Sequence, residues 1–244
     1  TGVLIRSLTP NLTSAQTSNG LSAATGIDNN IDGKIDYVYA GDIKGNIWKF
    51  DLSSTVPSNW KVAYKDGSNI DVPIFSAKDS SDKPQPITGG IAISFDASLK
   101  PWVFFGTGSY LTLADIQLPK TKDVQTWYGI RDEGTAAGVV SNRSTELKKR
   151  AIVYAGYSAT LKRTVRAVEP EVPGDMKDGN GVAYKGWYMD LINPPFQADQ
   201  QLGERIVGTS VVRGERLLVS SITPSLDPCN EGRGFINEVG LFTG

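Results

Sequence analysis

Short runs of valine, isoleucine, tyrosine, phenylalanine and tryptophan follow one another along the whole chain, separated by glycine, aspartate, asparagine, serine and proline. This pattern predicts β-strands joined by turns. Helical periodicity is nearly missing, and residues 144–150 (STELKKR) could form a turn or two at most. Most of the 26 glycines and 13 prolines fall between the runs, where turns require them. The sequence therefore predicts an all-β fold.

Four of the apolar runs resemble one another, and each is followed by an aromatic run. The first runs are YVYAGD (37–42), WVFFGTG (102–108), IVYAGY (152–157) and LLVSSI (217–222). The second runs are NIWKFDL (46–52), TWYGIRD (126–132), GWYMDL (186–191) and FINEVGL (235–241). A strand, a tight turn and an aromatic strand, repeated roughly every 50–65 residues, indicate β-propeller blades. About four blades are visible, which predicts a modified β-propeller that forms a partial ring.

Alternation in the first aromatic run predicts its two faces. Trp48, Phe50 and Leu52 share one face, and Lys49 and Asp51 point the other way. At the two ends of the chain, residues 1–8 resemble the closing strand of a blade and residues 235–244 resemble an opening one. The chain starts at a threonine and ends without a polar tail. We therefore expect residues 1–244 to be one propeller domain, cut from a larger protein.

Composition narrows the possible functions. The net charge is −1 with mixed signs, which argues against a nucleic-acid partner. No apolar run approaches the roughly 20 residues of a membrane span. There is no histidine, so the commonest general base and metal ligand are absent. The single cysteine, Cys229, either pairs outside this segment or is a buried thiol.

Residues 28–36 (DNNIDGKID) have the spacing of the first nine positions of an EF-hand calcium loop. The predicted ligands are Asp28, Asn30, Asp32, the Lys34 carbonyl and Asp36. Calcium prefers 6–8 oxygen ligands, and a curling loop turns alternate side chains inward. Glycine at position 33 allows the sharp bend. The pattern therefore predicts a nine-residue EF-hand-like Ca²⁺ loop between strands, whose order depends on the metal.

The rest of the predicted loop departs from a helical EF-hand. Tyr39 occupies the twelfth position, where a bidentate glutamate is usual, so Asp36 and water must complete the shell. Ile35 is expected to anchor the loop to the core. Magnesium suits a loop with this many protein oxygens less well. The alternative interpretation is a solvated turn rich in aspartate and asparagine.

A family resemblance accompanies the loop. The segments DNNIDGKIDYVYAGDIKGNIWKFDL, PITGGIAISFD…PWVFFGTGSYL and GERIVGTSVVRGERLLVSSITPSLDPC resemble the C-terminal domain of the PilY/PilC family of type IV pilus tip-associated adhesins. The resemblance extends over residues 1–244. It implies a modified β-propeller with a nine-residue calcium loop, whose ligand positions match the five residues named above.

The same resemblance implies a biological role. It places the protein outside the cell, at the pilus tip or associated with the outer membrane, bound to minor pilins. It also implies support of pilus biogenesis against retraction, of twitching motility and of adhesion to a host-cell surface receptor, and hence a part in virulence. Calcium occupancy would regulate whether the pilus persists.

Two other classes of propeller stay open. Quinone-dependent dehydrogenases have similar repeats and bind calcium, but their metal lies with the cofactor on the propeller axis. Without histidine, and with Asp115, Asp132, Glu133 and Asp190 expected at turns or strand ends, we predict that the protein is not an enzyme. Integrin-α-like propellers repeat the calcium loop in each blade, whereas residues 169–181 are acidic without its spacing. Residues 213–215 (RGE) are expected in a hairpin turn.

Overall fold

The computed structural model describes residues 2–11, 19–117, 123–194, 203–225 and 233–244. Within these ranges the chain forms fifteen β-strands and a single-turn α-helix, α1 (Arg143–Glu146). The all-β prediction is confirmed, and the helix overlaps the first three residues of the segment 144–150, which showed the only helical tendency. In the described part of the chain, no helix has the length and apolarity needed to cross a membrane.

The first sheet contains the predicted calcium loop between two of its strands. Its antiparallel strands, in spatial order, are β1 (Leu21–Ile27), β2 (Tyr37–Asp42), β3 (Asn46–Asp51) and β4 (Lys61–Val62). A short strand, β5 (Phe75–Ser76), pairs with the beginning of β3. On one face Trp48 and Phe50 pack with Ala40 and Val62, and Leu52 lies against them, as the alternation predicts.

The opposite face of this sheet is also covered. Ile47 belongs to a second apolar cluster, and Lys49 is only 6% exposed. The prediction that Lys49 points away from Trp48 is confirmed, but that direction leads into the protein and not to solvent.

The second sheet lies between the other two large sheets. Its strands, in spatial order, are β6 (Ala92–Phe95), β7 (Pro101–Gly106), β8 (Thr126–Arg131), β12 (Gly186–Asp190) and β9 (Lys148–Arg150). Successive side chains of a strand point to opposite faces. Phe105 and Tyr128 pack in the cluster shared with the first sheet, and Phe104 and Trp127 pack in the cluster shared with the third. Both faces are therefore buried, as in stacked propeller blades.

The remaining strands form a third sheet and a separate ribbon. The third sheet is β13 (Val211–Arg213), β14 (Arg216–Ser220) and β15 (Ile236–Gly240), all antiparallel. The ribbon is a two-stranded hairpin of β10 (Ile152–Ser158) and β11 (Arg163–Val168). Residues 213–215 lie at the hairpin between β13 and β14, with Gly214 at a φ of 59°, as predicted.

The predicted repeat of four blades is wrong at its third member. Three of the four predicted pairs of strands are present: 37–42 with 46–51, 101–106 with 126–131, and 216–220 with 236–240. Residues 152–158 instead pair with 163–168, and residues 186–190 join the second sheet beside β8. Residues 152–158 pair with 163–168 because only a four-residue turn separates the two strands. Residues 186–190 pair with β8 because Trp187 and Met189 pack in the same apolar cluster as Trp127 of that strand. The described chain therefore has three sheets of three or more strands, and none of them closes on itself.

The ends of the chain also differ from the prediction. Residues 2–11 form no strand, and Val3, Leu4 and Ile5 are 69–88% exposed. At the other end, β15 is the last strand of the third sheet and does not open a new one.

Four five-residue turns share with residues 42–46, the turn between β2 and β3, one geometry that the sequence analysis did not identify. In each turn the first residue is an aspartate whose Oδ1 accepts hydrogen bonds from the amides two and four residues later. The turns begin at Asp66, Asp79, Asp96 and Asp178. The fourth residue of each has a positive φ: Asn69 (61°), Asp82 (62°), Leu99 (57°) and Gly181 (81°). Each of these four turns has an aspartate followed two residues later by serine or asparagine, and this pattern could have identified them from the sequence.

Leu99→Gly is expected to stabilise the protein by about 0.5–1 kcal/mol, because a branched side chain is strained at positive φ whereas glycine is not. Leu99 is 79% exposed, so little packing is lost. Urea unfolding of the two forms measures the difference. Gly181→Leu, the reverse change in an equivalent turn, should destabilise, and equal stability of all three proteins would contradict the assignment.

Candidate metal centre

The loop of residues 28–36 connects β1 and β2 without any regular structure of its own. Its base is closed by the amide of Asp36, which donates to the carbonyl of Ile27 over 2.9 Å. The carbonyl of Asp36 accepts from the amide of Leu52 over 2.7 Å, which links the loop to the end of β3. The loop therefore lies at the corner where the first three strands meet.

The side chains of the first three predicted ligands all accept hydrogen bonds from backbone amides of the loop. Asp28 Oδ1 and Asn30 Oδ1 both accept from the amide of Asp32, over 3.1 and 2.9 Å. Asp28 Oδ2 accepts from the amide of Gly33 over 2.7 Å, and Asp32 Oδ1 accepts from the amide of Lys34 over 2.9 Å. Because Asp28 and Asn30 accept from the same amide, their oxygens lie close together, whereas the Asp32 carboxylate bonds the amide two residues after it.

Asp36 closes the other side of the loop. Its Oδ2 accepts from the amides of Asn29 and Asn30, over 2.8 and 3.2 Å. The residue is only 6% exposed, and no ion pair reaches it from any described residue. A buried carboxylate that lacks a cationic partner is costly, so Asp36 is the residue of this loop that most needs a bound cation.

Two residues of the loop have a positive φ, one at the predicted bend and one that was not predicted. Gly33 has a φ of 86°, and Ile31 has a φ of 61° with 91% of its surface exposed. The prediction that Ile35 anchors the loop to the core is wrong: Ile35 is 47% exposed, and its side chain lies over Gly26 at the edge of the sheet. Tyr39, the twelfth position, is fully buried and bonded elsewhere, so it faces away from the loop.

The donor set of the loop fits calcium in its chemistry. Asp28, Asp32 and Asp36 carry three negative charges, and Lys34 offsets one of them through an exposed contact of 3.5 Å to Asp32. All available donors are oxygens, as a hard cation requires. Within the described ranges, no three acidic or thiol side chains already stand close enough to hold an ion. The loop carboxylates bond to backbone amides instead, so binding an ion requires them to turn further inward.

A buried polar cluster lies directly behind the loop. Lys49 Nζ is 2.8 Å from Asp132 Oδ2, and both side chains are almost completely buried. The hydroxyl of Tyr39 donates to Asp132 Oδ2 and that of Tyr64 to Asp132 Oδ1, each over 2.7 Å. The ammonium of Lys49 also lies 4.0 Å from the ring centre of Tyr37, the residue after the loop. The cluster therefore joins the first sheet to the residue that follows the second sheet's β8.

Charge states in this cluster follow from the geometry. Burial alone would raise the pKa of Asp132, but the charge of Lys49 and hydrogen bonds from Lys49, Gly134 and Tyr64 hold that pKa below its usual value. Burial, together with the negative charge of Asp132, raises the pKa of Tyr39 and of Tyr64 well above the ordinary value. Asp132 is thus ionised and both hydroxyls remain donors. Sequence reasoning missed the cluster; a lysine between Trp48 and Phe50 in a strand was the available signal.

The other acidic candidates have structural partners. Asp190, the last residue of β12, pairs with Arg143 over 2.9 Å. Glu133 bonds Lys100 and Arg131. Asp115 lies in a short 3₁₀ turn, where its carboxylate accepts from the amides of residues 111 and 112. These positions agree with the predicted turns and strand ends.

The remaining sequence candidates give no second metal loop. In the acidic segment 169–181, Asp175 pairs with Arg150 over 2.6 Å and Asp178 begins one of the five-residue turns. Cys229 lies outside the described residues.

Known proteins resemble the chain over most of its length. A family profile for the PilY1 beta-propeller domain matches residues 1–156. The type IV pilus biogenesis factor PilY1 of Pseudomonas aeruginosa (strain PAO1) is 32% identical over 238 residues, which cover 88% of this chain and 20% of that protein. A homolog of this factor from Xylella fastidiosa is 34% identical over 235 residues, covering 95% of this chain and 16% of the homolog.

A solved structure supports the same relationship. The crystal structure of the Pseudomonas aeruginosa PilY1 C-terminal domain superimposes with a TM-score of 0.76 at 28% identity, over 96% of this chain and 49% of that one. The chain thus spans a fifth or less of the full-length relatives and about half of the solved domain. On the profile, the relatives and the shared fold together, the chain belongs to the PilY1 family, and its residues 1–156 match the β-propeller domain of that family.

Proposed function

We propose that this chain is part of a type IV pilus biogenesis factor in which one calcium ion, bound by residues 28–36, controls pilus persistence. The ligands are Asp28, Asn30, Asp32, the Lys34 carbonyl and Asp36. The observation that supports this most is Asp36, a buried carboxylate without a cationic partner among the described residues, in a loop whose other predicted side-chain ligands also present oxygens. Several relatives are named type IV pilus biogenesis factors, which supports the setting.

Asp36 gives the loop a direct connection to the fold. Its carboxylate belongs to the loop, its amide closes the base against Ile27, and its carbonyl holds Leu52. The next residue, Tyr37, lies against Lys49. Bound calcium supplies the positive charge that lets the loop carboxylates approach one another. Because the amide and carbonyl of Asp36 are hydrogen-bonded to Ile27 and Leu52, an ordered loop also stabilises the adjoining ends of β2 and β3.

The cellular role follows the family. We place the protein outside the cell, at the pilus tip or associated with the outer membrane, in contact with minor pilins. There it opposes retraction and so supports twitching motility, adhesion to a host-cell surface receptor and virulence. Nucleic acid and the membrane interior are not among the proposed partners.

The protein acts in this proposal as a binding module and not as an enzyme. The buried ionisable groups of the cluster at Lys49 and Asp132 satisfy one another. A quinone-dependent dehydrogenase would show a quinone absorbance and turnover of alcohols with an electron acceptor. An integrin-α-like propeller would repeat the loop, whereas the described residues contain it once. No observation favours either alternative.

Surface piliation tests the regulatory role. In the full-length protein, Asp36→Asn keeps an oxygen for the amides of Asn29 and Asn30 but removes the charge. We expect this strain to lose surface pili and twitching at calcium levels that sustain the wild type. Asp66→Asn alters a carboxylate that also accepts from two backbone amides, but outside the loop, and should leave both unchanged. Ordinary piliation in the Asp36→Asn strain at every calcium level would refute the regulatory role.

A further inference from the structure

The ribbon of residues 152–168 has two outer edges that pair with no other strand of the described chain. Its base is fixed: Ile152 and Val168 pack in the core between the second and third sheets. Arg166 forms a buried ion pair with Glu204 and donates to Asn237 over 2.8 Å. Two-stranded ribbons are marginal by themselves, and unpaired edges are templates for a further strand.

The ribbon and the strand before it form the most basic part of the chain. Residues 147–168 contain six basic side chains and no acidic one: Lys148, Lys149, Arg150, Lys162, Arg163 and Arg166. Arg150 and Arg166 form ion pairs with Asp175 and Glu204 and are buried, and Lys148 lies 3.8 Å from Asp175. The other three are exposed, and no described acid pairs with them. On a chain of net charge −1, this surface attracts anionic partners.

Apolar and aromatic side chains are exposed on the same ribbon. Val153 is 51% exposed, Tyr154 48%, Tyr157 65% and Leu161 54%. Tyrosine enrichment is typical of the centre of protein interfaces. An anionic sugar or a membrane surface would use the charges but would leave the strand edges and the valine and leucine side chains without a role.

We propose that the ribbon of residues 152–168 binds an acidic protein segment, which adds to one of its outer edges as a third β-strand. Main-chain hydrogen bonds along the edge supply affinity, as in other cases of strand addition. Lys162 and Arg163 select acidic side chains, and Tyr154 and Tyr157, on opposite faces of β10, each pack against apolar side chains on their own face of the added strand. This surface is separate from the proposed calcium loop and does not depend on it.

A labelled peptide of about eight residues, alternating glutamate and valine, tests the proposal by fluorescence anisotropy with the 244-residue chain at constant calcium. The matched control carries N-methyl groups on two pairs of adjacent residues, which keep its charge but remove main-chain donors from both of its edges. We expect the unmethylated peptide to bind, and the N-methylated one to bind roughly tenfold more weakly or worse.

Protein variants test the role of charge. Lys162→Glu with Arg163→Glu should weaken binding roughly tenfold or more, while Lys61→Glu with Lys177→Glu, the same charge change at other exposed sites, should change it by about twofold or less. Melting temperatures check that all variants fold. No binding at millimolar peptide, or equal binding of both peptides, would overturn the proposal. Heparin binding as tightly as the unmethylated peptide, with the same response to Lys162→Glu and Arg163→Glu, would overturn it in favour of a charge-only site.

Discussion

Replacing Asp132 by alanine should destabilise the folded protein by about 3–5 kcal/mol, the usual cost of leaving a buried charge without its partner. The substitution leaves the buried ammonium of Lys49 without its carboxylate partner. It also removes the hydrogen-bond acceptor of the Tyr39 and Tyr64 hydroxyls. Chemical denaturation measures the loss. The cluster also joins the first sheet to the residue after β8, so its loss weakens the packing between two sheets.

Glu133→Ala is the matched control, because the next carboxylate along the chain pairs with Lys100 and Arg131 nearer the surface. It should cost about 1 kcal/mol or less. Lys49→Met combined with Asp132→Leu should recover part of the loss, since both charges are then gone. Similar small effects of Asp132→Ala and Glu133→Ala would refute a structural role for the buried pair.

The same pair predicts a dependence of stability on pH. The pKa of Asp132 is lowered in the folded protein relative to about 3.9 in an unfolded chain. Its contribution to stability is therefore complete above that value and declines as the pH falls through the lowered pKa. The Asp132→Ala variant should lose this part of the acid dependence, which denaturation between about pH 6 and 2 would show.

The second large effect concerns calcium. At a calcium concentration 100 times the dissociation constant, binding to the native state alone adds about 2.7 kcal/mol. For a chain of this size that corresponds to a rise of about 5–10 °C in melting temperature, reversed by a chelator. Asp36→Asn should abolish the rise, and Asp66→Asn should retain it. An unchanged melting temperature in wild-type protein with and without calcium would contradict the prediction.

Local sequence patterns predicted the parts of this fold that depend on neighbouring residues. The alternation in residues 46–52 correctly separates Trp48 and Phe50 from Lys49, because strand geometry alone decides which side chains share a face. The spacing of residues 28–36 correctly predicted a loop running into a strand, since both its ends are set by adjacent sequence.

The features that the sequence did not predict depend on residues that are distant along the chain or on competing strands. Periodicity separates the two faces of β3 but does not show that both are covered, and Asp132, the partner of Lys49, is 83 residues away. The pairing of residues 152–158 was wrong because a nearby strand, 163–168, competes with the more distant 186–190. Ile35 was misplaced because its apolar character gives no information about the sheet edge on which it lies.

Isothermal titration of the 244-residue chain with calcium tests the central proposal most directly. The account predicts one site per chain, lost in Asp36→Asn and retained in Asp66→Asn. Binding with equal affinity in wild type and Asp36→Asn, or no binding heat in the wild type at millimolar calcium, would contradict it.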